Sequence, residues 1–282
     1  MYTLKVKNDR GDYLTLTGNP NYTVYKIEGL SPPPATINSS VNTTMDGSTI
    51  NSTRLENRNI VVYMTIEGNV EENRINLYKY FPVKKAVTLY FTNGTRDVSI
   101  EGVVELIECD VFTNKQIAQI SIICAKPYFK AASELVTQFS GVIPLFTFPF
   151  AIPAEGVEFS AIETGVRKTI LNTGDVETGA IITLSALGTV VNPVIYNVFT
   201  RDRIALNFTM QPSDVIVIDT NPGQKSINLI RSGLTTNILG YMTKDSKWLT
   251  LDSGDNVFTF STDSGETNLS VVFSTTLLYS GV

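Results

Sequence analysis

Short runs of alternating apolar and polar residues recur along the whole chain, broken by turn residues. This period of two constrains the fold more than any other feature, because it places every second side chain on one face of a strand. "YTLKVKN" sets Tyr2, Leu4 and Val6 against Thr3, Lys5 and Lys7. "YLTLTG" and "YTVYKIEG" repeat the pattern, and "RNIVVYMTIEG" is more apolar still. Thr, Val, Ile, Tyr and Phe favour a pleated, half-buried surface, so the chain reads as mainly β. Hydrophobic residues make up 43% of the 282, enough for one large core or two ordinary ones.

The exception to the alternation is "NVEENRINLYKYFPVKK", which predicts a helix near 70–81. Asn69 and Glu72 have capping-box spacing, Glu71 and Glu72 suit the positive helix start, and Pro82 stops it. Ile75, Leu77, Tyr78 and Phe81 are expected to cover one face of a sheet. A strand, "AVTLYF", then leads through an Asn93-Gly94 turn into a long strand ending at the first cysteine. Before the helix, Leu30–Thr53 is polar, starts with three prolines and has no clean period. It reads either as a surface excursion or as an arm that orders against a partner.

Both cysteines fall in "ECDVFTNKQIAQISIIC". A turn centred on Asn114 and Lys115 would pair Val111 with Ala118, Cys109 with Ile120, Ile107 with Ile122 and Glu105 with Cys124. The thiols then share the apolar face, about 13 Å apart along the ladder at about 3.3 Å per residue. A disulfide needs Cα atoms within about 7 Å. Buried free cysteines are therefore expected.

After Lys130 the texture changes. "AASELVTQFSGVIPLFTFPFAIPAEG" carries Pro144, Pro149 and Pro153 and reads as a linker or an irregular first strand. Short strands at regular spacing follow, from "RKTILNTGD" to "LSVVFST". The expectation is two domains. Residues 1–130 form a β-sandwich or barrel-like domain with one helix, and 131–282 form a jelly-roll-like β-sandwich.

The chain has no histidine, which excludes Ser-His-Asp and Cys-His catalysis and His-type zinc sites within it. There is no phosphate-cradling glycine loop. Carboxylate-pair glycoside hydrolysis survives only because 27 acidic residues always permit some pair. No catalytic, metal or cofactor site is expected. A net charge of −5 with dispersed basic residues argues against a nucleic-acid-binding stripe. No apolar run approaches the roughly eighteen residues of a membrane helix, and the start lacks the continuous apolar stretch of a signal peptide. A cytosolic context at synthesis, without a signal peptide, is expected. Trp248, the one tryptophan, is a candidate glycan platform or a strand-edge core anchor in "KWLTL".

The order of these segments resembles the distal tail protein family (Dit) of phage tails and tail-like particles. It runs from "RNIVVYMTIEG" through "ENRINLYKYFPVKK" and "GVVELIECDVFTNKQIAQISIICAKPYF" to "KWLTLDSGDNVFTF". The resemblance is strongest over 58–129. It implies a ring, usually a hexamer, formed by the N-terminal domains, and an outward galectin-like or carbohydrate-binding-module-like C-terminal domain. The implied partners are the chain itself, the tail tube protein and the baseplate hub or tail-associated protein, with tape measure and receptor-binding proteins beyond them. It implies no enzyme activity, no cofactor, no membrane insertion and no sequence-specific nucleic-acid binding. DNA would pass through the lumen, and an acidic chain suits that passage. The alternative from another class is an adhesin module that reads host cell-wall glycan through Trp248.

Overall fold

The computed structural model describes residues 2–41, 43, 46–139, 142–144, 160–162 and 167–282. They divide into two compact units, Met1–Ala132 with Leu278–Val282, and Ser133–Leu277. Mainly antiparallel strands build both, as the alternation predicts.

In the first unit the strands are β1 (Thr3–Lys7), β2 (Tyr13–Thr15), β3 (Tyr22–Glu28), β4 (Ala35–Val41), β5 (Ser48–Leu55) and β6 (Arg58–Ile66). Helix α1 (Val70–Tyr80) follows, then β7 (Ala86–Thr92), β8 (Asp97–Cys109), β9 (Ile117–Cys124) and the start of β10 (Phe129–Gln138). β2, β1, β7 and β8 lie in that order, and the pairing continues from β8 through β9 and β6 to β3. The 13-residue β8 makes this possible. Its first half pairs with β7, and from Val103 onward it pairs with β9 across a bulge between Val104 and Leu106. Val103 pairs with both neighbours, and the extra residue that follows it shifts the register of the β8–β9 ladder. Leu4, Val62, Leu89, Ile100, Ile120 and Phe129 belong to one buried cluster, closed by Leu77 and Phe81 of the helix.

The helix differs in detail from expectation. The Asn69 side chain makes no cap bond to the backbone. It donates from Nδ2 to the Glu72 carboxylate at 2.9 Å instead. The buried positions are Asn73, Leu77 and Phe81, an i, i+4 stripe, while Ile75 and Tyr78 face water. The Asn93-Gly94 turn is a longer loop, in which Asn93 Oδ1 accepts from the Thr95 and Arg96 amides.

The second unit contains β11 (Val142–Pro144), β12 (Ser160–Ile162), β13 (Lys168–Asn172), β14 (Ile181–Ala186), β15 (Val190–Val191) and β16 (Val194–Asn197). Next come β17 (Arg203–Ala205), β18 (Thr209–Met210), β19 (Val215–Asp219), β20 (Ser226–Arg231), β21 (Leu234–Asn237), β22 (Gly254–Ser261) and β23 (Leu269–Tyr279). β23, β14, β19, β20 and β21 follow one another in one sheet, and β13, β22, β16 and β17 form another. Alternate residues of both, among them Ile182, Ile216, Val271, Ile170, Ile195 and Phe260, share one core. The Phe258 and Phe273 rings bring the two sheets together with centroids 4.8 Å apart. This is sandwich packing, with one face of each sheet inside. Pro144 lies in β11, while Pro149 and Pro153 lie outside the described residues.

Candidate assembly surfaces

The stretch Leu30–Thr53 is not an irregular loop. β4 and β5 pair with each other alone, as a two-stranded ribbon. The ladder carries a bulge between Asn38 and Ser39. Ala35 stands opposite Leu55, Ile37 opposite Thr53, Ser39 opposite Ile50, and Val41 opposite Ser48. The bulge shifts parity, so Ile50 joins Ile37 and Val41 on one face. The other face, with Thr36, Asn38, Ser40, Thr49, Ser52 and Arg54, is wholly polar. Ile37, Val41 and Ile50 are all exposed. An isolated ribbon is marginal in water, and an uncovered apolar stripe on it invites a partner surface.

The root of the ribbon is held by Arg58. This residue is 1% exposed, yet among the described residues no carboxylate pairs with its guanidinium. Nη1 donates to the carbonyls of Gly29 at 2.5 Å and Ser31 at 2.7 Å. Nε donates to Pro127 O at 2.7 Å and Nη2 to Ser280 O at 2.6 Å. The plane stacks on Phe129 at 4.5 Å from the centroid. Burial pushes its pKa down, but a guanidinium keeps its charge. Four carbonyl dipoles and an aromatic face replace the counter-ion. Gly29 permits the approach, since at φ +82° a Cβ there would overlap the Asn59 carbonyl. The segment beyond Leu277 is pinned again by Arg96, which donates to Gly281 O and stacks on Tyr279 at 4.5 Å. The Val282 amide donates to Leu30 O at 3.1 Å.

The cysteine hairpin keeps its expected faces but not its expected register. Cys109 pairs with Ala118, Ile107 with Ile120 and Val104 with Ile122. Residues 110–116 form a loop wider than a two-residue turn, and the bulge absorbs Glu105. Both thiols are free, with Cys124 buried and Cys109 half-buried. Cys124 lies six residues along β9 from the partner of Cys109, about 20 Å at about 3.3 Å per residue. Burial pushes the Cys124 thiol up to about 11, with Arg58 acting the other way. The wider loop leaves Phe112 fully exposed and Val111 partly so.

Trp248 is half-buried against the core of the second unit, with Lys225 Nζ 5.7 Å from its ring centroid. "WLTL" does not form a ladder strand, and only Leu251 makes a bridge, to Thr178. Among the described residues no three Cys, Asp, Glu or His side chains gather as a metal site. Also among them, no helix is long and apolar enough to cross a membrane. Sequence reasoning missed Arg58, the ribbon stripe and Phe112.

These features define a class: a mainly β chain of two units whose conspicuous groups lie on exposed ribbons and tips. Residues 173–276 match the family model described as "Siphovirus-type tail component, C-terminal domain". The second unit thus matches that family's model over most of its length, and the resemblance to distal tail proteins read from the sequence is borne out. The fold is similar to the Dit protein (gp 19.1) of phage SPP1, described as a paradigm of hub adsorption apparatus in phages infecting Gram-positive hosts. That match has a TM-score of 0.69 at 12% identity and covers 98% of each chain. A chain of the phage P2 baseplate, in its activated conformation with Ca, matches with a TM-score of 0.52 at 13% identity, again over 98% of each. No curated protein matches the sequence.

Proposed function

We propose that this chain is a structural distal tail protein that works as a ring of identical copies, six in the family's usual form. The ring joins the tail tube to the baseplate hub and adsorption apparatus at the virion tail tip. The observation that carries the reading is the tail-component family match across the second unit. The uncovered apolar stripe of the β4–β5 ribbon supports it, because a neighbouring copy would cover what its own chain leaves in water. The role needs no catalytic residue, metal or cofactor. It is carried by surfaces, and the acidic chain suits a lumen through which DNA passes without being retained. Imaging of isolated particles, with this chain located and counted, tests the proposal. Its absence from the tail tip, together with a monomer at every concentration in solution, would remove it. The rival glycan reading is tested on a glycan array with Trp248→Ala as control. Binding lost in the variant supports it, and no binding, or binding that persists, ends it.

A further inference from the structure

Resting on the ring reading, the geometry points to one heterologous contact that builds it. The Phe112 tip of the β8–β9 hairpin seats in a trough at the far end of the same ladder on a second copy of this chain. Phe112 is 100% exposed and Val111 beside it 43%. The tip is nonetheless fixed. Asp110 N donates to Ile117 O at 3.0 Å, Thr113 Oγ1 to Lys115 O at 2.9 Å, and Gln116 Nε2 to Val111 O at 3.2 Å. These bonds order the loop on either side of Phe112, so part of the ordering needed for docking is already done.

The hole lies on the outer sheet face at the other end of the ladder. Ala86, Val103 and Ile123 stand in one row across β7, β8 and β9. They line a trough of about 300 Å³, edged by Glu101, Lys126 and Lys130. That volume sits at the bottom of the small-molecule range of about 300–1,000 Å³. It suits a single large side chain better than a drug-sized ligand.

Charge agrees. The tip carries Glu108 and Asp110 against Lys115, and the trough carries Lys126 and Lys130 against Glu101. Each has two charges of one sign and one of the other, in opposite senses, which favours encounter and register between copies. One chain cannot satisfy itself. Val103 and Cys109 are six residues apart along β8, about 20 Å at about 3.3 Å per residue, and the tip lies beyond Cys109. A contact between opposite ends of one ladder is head-to-tail, so it forms a ring when the rotation closes.

The test uses the full chain and two kinds of variant, Phe112→Asp at the tip and Val103→Glu in the trough. Ala86→Glu, at an exposed position, serves as a second trough variant should Val103→Glu fold poorly. Near-ultraviolet circular dichroism checks folding, and mass photometry across concentration reads assembly. Each variant alone should assemble at least tenfold more weakly than wild type. An equimolar mixture of tip and trough variants retains one intact tip and one intact trough, so it should give discrete heterodimers. Folded variants that assemble as wild type does, or a mixture that stays monomeric, overturn the contact and leave the ring reading standing. A wild-type chain that never assembles and is missing from particles overturns the ring reading itself.

Discussion

Two arginines anchor the two units by opposite means. Arg58 is sealed inside the first unit among four backbone carbonyls and an aromatic ring. Arg231 lies on the surface of the second, with its side chain 45% exposed, and grips the buried Asp214 in two hydrogen bonds of 2.8 and 2.5 Å. Asp214 Oδ2 also accepts the Gln211 amide at 2.7 Å, closing the turn before β19. In one case the buried charge is the cation, stabilised by neutral dipoles from segments far apart in the chain. In the other it is the anion, stabilised by a cation that stays solvated. The first arrangement fixes loops and has nothing to titrate in acid. The second fixes a turn and depends on pH.

The largest way to break this contrast is Arg58→Ala. It leaves four carbonyls without their donor and empties the space over Phe129, so the first unit should lose about 3–5 kcal/mol in urea unfolding. Arg58→Lys should recover less than half of that, because an ammonium cannot fork to donors spread around a plane. A lysine variant as stable as wild type would mean that charge alone, not geometry, holds the cage. Asp214→Asn should cost the second unit less, about 1–3 kcal/mol, since Arg231 returns to water at little cost.

The acid limb sharpens the comparison. Arg231 holds the Asp214 carboxyl below its usual range. A lowered folded value gives stability that is present above the unfolded carboxylate pKa of about 3.9 and lost as pH falls through the folded value. Melting followed from neutral pH down to about pH 2 should therefore show a loss in the second unit that Asp214→Asn flattens. Arg58→Ala should leave that slope unchanged. The smallest expected effects are at the thiols. Cys124→Ala should cost about 1 kcal/mol and the half-buried Cys109→Ala less, with assembly intact. With its pKa at about 11, Cys124 should resist alkylation in the native protein at pH 8. Because it pairs with Arg58 across β6 and β9, faster labelling in Arg58→Ala would report opening of the cage.

What the sequence made legible follows from periodicity. Strands whose one face is buried keep their alternation, so β1, β7 and β14 could be read directly, and so could the shared face of the cysteines. Bulges are where the reading slips. In β5, Leu55 and Thr53 are two apart, but Ile50 follows after three, so the apolar stripe of the ribbon looks aperiodic in one dimension. At Glu105 the same device moves the cysteine hairpin off its predicted pairing. Arg58 had no signature at all. Its acceptors are backbone carbonyls at Gly29, Ser31, Pro127 and Ser280, which leave no side-chain pattern to read. Trp248 looked like a strand residue by composition, but its neighbours form no ladder.

The cage has a consequence for synthesis. Residues 133–277 are an insertion in the first unit, and Ser280 lies beyond them. A ribosome delivers Arg58 and three of its four acceptors early. The fourth arrives only after the entire second unit has emerged. Until then Nη2 lacks its carbonyl acceptor and the root of the ribbon is incompletely tied. A nascent chain thus completes its anchor last, and a product truncated before Ser280 leaves the root of the ribbon incompletely tied.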